Sequence, residues 1–202
     1  MIGIINYGSG NIDAIINTLK ITNIPYKKIN ILKEFEPSIT HLILPGVGGF
    51  DETMDLLKSN NWIEWLNELV LVKKFPIMGI CVGLQIMFNS SSEGRKEGLG
   101  WFSGCVEKLP NDDYFPLPHM GWNSILTKSS NLFSEININD GFYFLHNYYV
   151  NPDKKEIIFA TSNYIINIPA VIMHDNIIGV QFHPEKSLNN GVQIFRNFYI
   201  KS

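Results

Sequence analysis

A cysteine between two glycines, placed where a buried strand gives way to a helical pattern, most constrains how this chain can fold. The apolar run 77–80 predicts a buried strand, and an apolar helical face follows over 84–88. The pattern Gly79-x-Cys81-x-Gly83 has the form of a nucleophile elbow, in which glycines permit a sharp turn against neighbouring chain. We predict that Cys81 lies at a helix N-terminus, where the helix dipole stabilises a thiolate. The alternative is a structural cysteine between two packing glycines.

The bulk composition describes an ordinary globular chain. With 202 residues, the chain is predicted to form one domain spanning residues 1–202. A net charge of -3 gives no basic surface, so we expect no nucleic-acid partner. No apolar run approaches the roughly 18 residues of a membrane span, so we expect no membrane contact. The chain has two cysteines, Cys81 and Cys105, and this sparse use favours a reducing, cytoplasmic location.

The order of predicted elements changes halfway along the chain. The first half alternates apolar strands with amphipathic helices, and the second half is mostly strands separated by turns. The predicted fold class is therefore α/β, with a mostly parallel central sheet flanked by helices and extended by antiparallel strands, as in flavodoxin-like folds. The predicted strands cover 2–5, 25–31, 41–44, 77–80, 101–102, 105–106, 122–126, 142–145, 157–160, 170–173 and 177–180, and the predicted helices cover 12–22, 51–57, 62–72 and about 192–198.

Two glycine-rich loops follow predicted strands of the first half. The loop 45–49, Pro-Gly-Val-Gly-Gly, exposes backbone N–H groups at the same sheet edge as Cys81, so it could donate to an oxyanion. Taken alone, it reads as a turn. The loop 6–11, Asn-Tyr-Gly-Ser-Gly-Asn, lacks the full dinucleotide fingerprint and is better explained as a tight turn.

A cysteine nucleophile needs a base, and the base needs an orienting group. Among five histidines, His183 stands out because it follows the apolar run 177–180, near a strand end, and precedes Pro184 and Glu185. In an extended chain Glu185 points to the same side as His183, so the carboxylate can hold the imidazole while the other ring nitrogen faces Cys81. The remaining histidines are predicted to be two surface residues, His41 and His174, and two partly buried residues in aromatic surroundings, His119 and His146.

Three motifs, in order, resemble the triad-type class I glutamine amidotransferases: Pro-Gly-Val-Gly at 45–48, Gly-Ile-Cys-Val-Gly-Leu-Gln at 79–85 and Gly-Val-Gln-Phe-His-Pro-Glu at 179–185. Segments 6–11, 118–123 and 144–149 are similar to the glutaminase subunits of imidazole glycerol phosphate synthase, of histidine biosynthesis. The resemblance covers essentially the whole chain. It implies the glutaminase fold, L-glutamine as substrate, and no metal or organic cofactor.

The resemblance also implies roles for individual residues. Cys81 would attack the side-chain amide of glutamine, His183 would protonate the departing ammonia and later activate water, and Glu185 would orient His183. The oxyanion would be held by the backbone N–H of Val82 and by one from the loop that contains Gly46 and Val47. Glutamine would be held by Gly48, Gln85 and the backbone at Asn147 and Tyr148, although serine would be expected at position 147.

The resemblance implies a partner as well. Ammonia would pass to a separate (βα)8-barrel synthase subunit in a heterodimer. The residues expected at or near that interface are Asn11, Met120, Trp122 and Asn123, and ordinary packing is the alternative for each. We hypothesise that the isolated glutaminase chain is poorly active because the loop 45–48 needs a peptide flip triggered by the partner.

Three alternatives remain open from the sequence. The segments 98–101 and 191–194 also resemble paralogues that supply ammonia for amidation of sugar nucleotides in surface-polysaccharide biosynthesis, and Asp51 stands where the histidine-pathway proteins commonly have glycine. A binding or regulatory subunit without catalysis is a second alternative, and a cysteine peptidase-like hydrolase is a third.

Overall fold

The computed structural model describes residues 1–201 and is organised around an eight-stranded sheet. Its strands are β1 (Ile2–Ile5), β2 (Tyr26–Ile29), β3 (His41–Leu44), β4 (Ile77–Ile80), β8 (Leu126–Thr127), β11 (Ile158–Tyr164), β12 (Ile166–His174) and β13 (Ile177–Val180). They lie in the order β2-β1-β3-β4-β13-β12-β11-β8. The first five strands in this order pair in parallel, and β12, β11 and β8 extend the sheet by antiparallel pairing. The predicted fold class is confirmed.

Strand β4 lies in the middle of the eight-stranded sheet, between β3 and β13. Gly79 is in register with Leu44 on one side and with Gly179 on the other. The three central strands are fully buried along their length, as expected for parallel strands covered on both faces. The carboxyl ends of these three neighbours therefore bring the loop after β3, Cys81 and His183 to one edge of the sheet.

The helices follow the apolar periodicity of the sequence closely. They are α1 (Ile12–Thr22), α2 (Phe50–Ser59), α3 (Trp62–Asn67), α4 (Val82–Gln85) and α5 (Leu188–Lys201), and a π-helical turn, Glu68–Val72, continues α3. Helix α1 packs against α5, and α2 contacts both α3 and α4. No helix among residues 1–201 is both long and apolar enough to span a membrane.

Part of the second half forms two small sheets of its own. One has the order β10-β6-β5, built from β5 (Ser90–Ser91), β6 (Gly104–Lys108) and β10 (Tyr148–Pro152). The other pairs β7 (His119–Asn123) with β9 (Phe142–His146) in antiparallel fashion. The predicted strand 122–126 is therefore wrong as a single element, because β7 ends at Asn123 and Leu126 begins β8 in the large sheet.

The elbow helix is shorter than the apolar pattern over 84–88 predicts. Helix α4 ends at Gln85, because the carbonyl oxygens beyond it bond to a later segment instead of the next helical turn. The N–H of Leu99 donates to the oxygen of Ile86 at 2.7 Å, and the N–H of Phe102 donates to the oxygen of Met87 at 3.0 Å. The same contacts explain why 101–102 forms a bend rather than the predicted strand.

Candidate active site

The backbone at Cys81 adopts the strained turn that the sequence predicts. Its φ of 53° and ψ of -110° are unusual for a residue with a side chain, and its N–H donates to Val180 O at 2.8 Å. The turn requires close approach, since a Cβ on Gly83 would lie 2.1 Å from Leu44 O and one on Gly46 would lie 2.4 Å from Gly83 N. The buried Cys81 side chain is thereby presented at the start of α4.

His183 and Glu185 form a buried pair beside Cys81. His183 Nδ1 lies 2.8 Å from Glu185 Oε1, and the two side chains are 3% and 1% exposed. The reason given from the sequence is wrong, because Glu185 lies in a 3-10 turn, Pro184–Lys186, and not in extended chain. Glu185 Oε2 is buried with no hydrogen-bond partner among residues 1–201, so His183 is the one described side chain that balances this carboxylate.

The His183 imidazole is held in its charged form. Burial alone lowers the pKa of His183, but hydrogen bonds to Cys81 and Glu185 outweigh this effect and raise the pKa to about 10. Since Nδ1 faces Glu185, Nε2 is the nitrogen left for the sulfur. At neutral pH the site therefore holds an imidazolium between a carboxylate and the Cys81 sulfur.

The sulfur has two further polar neighbours. Cys81 Sγ lies 3.8 Å from Leu145 O, which can accept from a thiol, and 3.7 Å from Gln181 Nε2, which can donate to a thiolate. Gln85 links this group to the far wall, because its Nε2 donates to Tyr148 O at 2.9 Å and to Gln181 Oε1 at 3.2 Å. The nucleophile thus has polar neighbours although its residue packs into the hydrophobic core.

A cavity of about 200 Å³ opens above Cys81. It lies below the roughly 300 Å³ at which drug-sized pockets begin, so it suits a small metabolite. Its lining joins the ends of β4 and β9 to the loop after β3 and the polar loop after α4. The lining residues are Val47, Gly48, Cys81, Val82, Gln85, Glu93, Pro118, Leu145, His146, Asn147, Tyr148 and His183.

The loop after β3 is held in place by the glycine-rich turn after β1. Ser9 Oγ donates to Val47 O at 2.7 Å and accepts from Val47 N at 3.3 Å, and Tyr7 Oη donates to Pro45 O at 2.6 Å. The N–H of Val47 is therefore engaged by Ser9 in this state. The N–H of Val82, at the first position of α4, has no acceptor within its own helix.

A histidine pair stands at the cavity wall, where His146 lines the cavity and His119 lies outside the lining. His146 Nδ1 lies 2.9 Å from Tyr148 O, and its Nε2 lies 2.9 Å from His119 Nδ1. The His119 ring stacks between Phe144 and Tyr164, at centroid distances of 4.6 and 4.0 Å. Burial lowers the pKa of His146 to about 3 and that of His119 to about 4, so both rings are neutral.

The remaining two histidines, His41 and His174, differ in their burial. His174 is exposed, as predicted. His41 is buried beside the rings of Phe198 and Tyr199, so its prediction as a surface residue is wrong. The sequence could not reveal this, because α5 supplies the cover from the far end of the chain.

The four predicted interface residues lie outside the cavity. On β7, His119 faces inward, whereas Met120 and Trp122 are 64% and 49% exposed. Asn123 Nδ2 lies 3.2 Å from His119 Nε2 and donates to Asn163 O at 2.9 Å. Asn11 is half-buried, and its carbonyl accepts from the N–H of Ile15 in α1.

The sequence matches the family "Glutamine amidotransferase class-I" over residues 4–202. The chain belongs to the class I glutamine amidotransferases. The resemblance drawn from the three motifs is confirmed. The ends of β3, β4 and β13, which carry these motifs, are neighbours in the sheet.

Relatives of this amidotransferase share its full length. It is 42% identical over 202 residues to "Imidazole glycerol phosphate synthase subunit HisH" of Leptospira interrogans, with 98% of each chain covered. It is 42% identical over 200 residues to the protein of that name from Caldanaerobacter subterraneus, with 98% and 97% covered. It is 39% identical over 199 residues to "subunit HisH 2" of Pseudomonas aeruginosa, with 98% of each chain covered.

Solved structures agree on the fold of this amidotransferase. A putative GMP synthase protein from Thermoplasma acidophilum superposes with a TM-score of 0.69 at 23% identity, covering 98% of this chain and 90% of that one. A chain of PurLQS from Thermotoga maritima gives a TM-score of 0.72 at 16% identity, covering 98% and 96%. At these identities the likeness concerns the fold alone.

Most of the residues that line the cavity were predicted from the sequence, but several residues of the site were not. Predicted residues Val47, Gly48, Val82, Gln85, Asn147 and Tyr148 line the cavity together with Cys81 and His183, whereas Gly46 packs against the elbow and Glu185 lies behind His183. Glu93, Pro118, Leu145, His146 and Gln181 were not assigned to the site. Pro118, Leu145 and His146 lie in the segments 118–123 and 144–149 singled out above, and Gln181 stands two residues before His183, directly after the same buried strand.

Proposed function

We propose that this chain is the glutaminase subunit of imidazole glycerol phosphate synthase. It would hydrolyse L-glutamine to glutamate and supply ammonia to a synthase subunit in histidine biosynthesis. The observation that carries the proposal is the buried Cys81–His183–Glu185 group at the floor of one small cavity. Relatives named as this subunit, at about 40% identity over the whole chain, support the pathway.

The chemistry begins with attack of the Cys81 thiolate on the side-chain carbonyl carbon of glutamine. The new C–S bond forms as the carbonyl becomes an oxyanion. When the tetrahedral intermediate collapses, the C–N bond breaks and His183 gives its Nε2 proton to the leaving nitrogen, which departs as ammonia. A thioester on Cys81 and a neutral His183 remain. Glu185 fixes the ring through Nδ1.

The second half of the reaction regenerates the site. Neutral His183 takes a proton from water as the water oxygen attacks the thioester carbon. Collapse of this intermediate breaks the C–S bond and releases glutamate, leaving thiolate and imidazolium as before. The high pKa of His183 fits this cycle, because the resting imidazolium is ready to act as the acid of the first step.

Three residues of the site refine how glutamine would be held. The Tyr148 carbonyl already accepts from Gln85 and His146, so a contact at Tyr148 would not use this oxygen. The Nε2 of Gln85 donates to groups within the protein, so Oε1 is the Gln85 atom that can accept a hydrogen bond from the substrate. The Glu93 carboxylate lines the cavity while accepting from Phe50 N at 2.9 Å, and it suits the α-ammonium group of an amino acid.

The oxyanion hole would combine Val82 N–H with an N–H of the loop 46–48. Because Ser9 engages both polar backbone atoms of Val47, we propose that a peptide flip must free this loop, and that the synthase partner triggers it. Ser9→Ala removes the restraint and should raise glutaminase activity of the isolated chain several-fold, since one side-chain bond contributes about 1 kcal/mol. Ser59→Ala, at an exposed serine, is the control. An isolated wild-type chain as fast as the assembled complex would disprove the hypothesis.

The proposed partner is a (βα)8-barrel synthase subunit in a cytoplasmic heterodimer. It would cover the exposed apolar side chains of Met120 and Trp122, with Asn11 and Asn123 nearby. No metal or organic cofactor takes part in the proposed steps, and neither nucleic acid nor membrane is a partner.

The deciding experiment is glutamate release from glutamine by the chain mixed with purified synthase partner. We expect activity that Cys81→Ala abolishes while co-purification of the two chains is preserved. Binding without glutamate release would indicate a regulatory subunit. Labelling of Cys81 by a peptide electrophile but not by a glutamine-analogue electrophile would indicate a peptidase-like hydrolase. A bound barrel that accepts a sugar nucleotide, and not the histidine-pathway ribonucleotide, would identify the polysaccharide paralogue.

A further inference from the structure

Gln181 is a buried amide that contacts the nucleophile and has no part in the reaction steps proposed for Cys81 and His183. It is 0% exposed, and its backbone N–H donates to Ala170 O at 2.9 Å, which fixes it to β12. Its side-chain Nε2 lies 3.7 Å from Cys81 Sγ. A buried amide needs partners, and here one of those partners is the reacting atom.

The orientation of this amide follows from hydrogen-bond logic. Tyr148 O is a carbonyl and can only accept, so the Gln85 atom 2.9 Å from it must be the amide nitrogen. The same nitrogen lies 3.2 Å from one terminal atom of Gln181, which must then be the oxygen. The other terminal atom of Gln181 is therefore the nitrogen, and its N–H is directed at Cys81 Sγ.

The Tyr148 carbonyl is itself fixed from the other side. Its second donor is His146 Nδ1, so His146 Nε2 must accept, and His119 must donate to it from Nδ1. His119 Nε2 then accepts from Asn123 Nδ2. While both histidine rings are neutral, each hydrogen-bond donor and acceptor between Asn123 on β7 and Cys81 Sγ has only one possible assignment.

We propose that Gln181 is a further catalytic residue, whose amide N–H donates a hydrogen bond to the Cys81 thiolate. The inference rests on the proposed role of Cys81 as nucleophile. The donor stabilises the charged sulfur before attack and again when it leaves the thioester, because hydrogen bonds to ionised acceptors are the strong ones. Gln181 offsets Leu145 O, which lies 3.8 Å from the sulfur and favours the protonated thiol.

A purely structural role for Gln181 makes a different prediction. If the amide only satisfied Gln85, its loss would reduce stability without changing how fast the sulfur reacts. The rate of alkylation of Cys81 by iodoacetamide separates the two roles, because this reaction follows the thiolate and needs neither glutamine nor a partner.

The variant Gln181→Met keeps the length of the side chain and removes the amide. We expect the alkylation rate of Cys81 at pH 7 to fall about tenfold or more, as for a lost hydrogen bond to a charged group. Site-resolved mass spectrometry follows Cys81 separately from the partly exposed Cys105. Asn197→Leu is the control, because Asn197 on α5 is a buried amide that donates to Leu132 O and Ser134 O.

The control should lower the thermal midpoint but leave the alkylation rate within about twofold of wild type. Gln85→Met tests the orientation argument, since it frees the Gln181 amide to rotate. We expect an intermediate loss of rate, and a double variant no slower than Gln181→Met. A Gln181→Met protein that reacts as fast as wild type would overturn the proposal.

A measurement on the wild-type protein covers the case in which Gln181→Met does not fold. The side-chain amides of Gln85, Gln181 and Gln193 can be observed by NMR after labelling with 15N-glutamine. Alkylation of Cys81 should shift the Gln181 amide signals and leave those of Gln193 unchanged. Unmoved Gln181 signals would overturn the proposal, whereas a wild-type complex that releases no glutamate would instead refute the proposed glutaminase function.

Discussion

Two pairs of side chains, His183 with Glu185 and His146 with His119, each contribute one histidine to the same cavity, and the protein holds these histidines in different charge states. In the first, His183 bonds to the Glu185 carboxylate and to Cys81, and its pKa rises to about 10. In the second, His146 bonds to His119 and to a backbone carbonyl, and burial lowers their pKa values to about 3 and 4. Burial disfavours the charge in both pairs, so the carboxylate and the sulfur account for the difference.

The two pairs are therefore suited to different roles. A proton held at neutral pH can be delivered to a leaving group, so the His183 pair is suited to acid–base chemistry. Rings that stay neutral have fixed donors and acceptors, so the His146 pair is suited to holding the cavity wall in one geometry. Variants of either pair can test whether these two roles are in fact separate.

The largest effect should come from Glu185→Gln, which keeps the shape of the side chain and removes its charge. We expect kcat for glutamate release in the presence of the synthase partner to fall about a thousandfold or more, with a small change in KM, by analogy with loss of the orienting carboxylate in other triads. Glu107→Gln is the matched control, since Glu107 bonds to Tyr149 and Asn151 away from the cavity. A Glu185→Gln enzyme with a tenth of wild-type kcat would show that the carboxylate is not needed to orient His183.

The second effect concerns stability in acid. A histidine whose pKa is lowered by folding contributes full stability above its unfolded value of about 6.5, and this contribution is lost as the pH falls. For His119 the loss should reach about 3 kcal/mol at pH 4. His119→Phe keeps the stacking between Phe144 and Tyr164 and should remove this part of the acid sensitivity.

Urea unfolding at pH 7, 5 and 4 measures that change. The variant should be less stable than wild type at pH 7, because His146 Nε2 loses its donor, yet it should lose less stability on going to pH 4. His174→Phe, at an exposed histidine, should leave the acid dependence unchanged. Parallel pH curves for His119→Phe and wild type would mean that His119 is not held neutral by the fold.

A smaller effect is expected when His119→Phe is assayed as an enzyme. Glutaminase kcat/KM should fall by less than about tenfold, since the Tyr148 carbonyl keeps its bonds to His146 and Gln85 and only the outer support is lost. His41→Phe is the control for loss of a buried imidazole packed against aromatic rings. A loss as large as that of Glu185→Gln would show that the second pair also takes part in proton transfer. The two pairs would then not have separate roles.

The smallest change is spectroscopic and involves no loss of function. Ring 15N signals at pH 7 should show His183 as an imidazolium, and His119 and His146 as neutral rings protonated at Nδ1. In Glu185→Gln the His183 signals should move toward the neutral form, while those of the other two rings stay in place. Charged His146 at neutral pH would contradict the comparison directly.

The strands that build the site could be predicted from sequence almost to the residue. Strands β3, β4 and β13 match their predicted ranges because a strand buried on both faces is a continuous apolar run that ends at turn residues. The glycine pattern around Cys81 likewise indicates the turn from local chain geometry alone. For these features, the neighbours along the sequence carry the information.

Other features depend on groups that are distant in sequence. The length of α4 is decided by the N–H groups of 98–102, which bond to the carbonyls of 86–89 just beyond the helix, and the burial of His41 is decided by α5. The direction of the Gln181 amide is decided by Gln85 and Tyr148, which no local pattern links to it. Glu185 was predicted beside His183 for the wrong reason, because a 3-10 turn and not an extended chain aims its carboxylate.

The central position of β4 has a consequence for how this protein becomes active during synthesis. The elbow, the loop after β3 and the strands on its β1 side precede residue 90, whereas β13, His183 and Glu185 follow residue 176. A nascent chain that has not yet added β13 carries the cysteine but neither its base nor the carboxylate. The Cys81 thiol therefore has no catalytic base until the long-range β4–β13 pairing forms. Assembly of the catalytic group and completion of the parallel strands are then a single event.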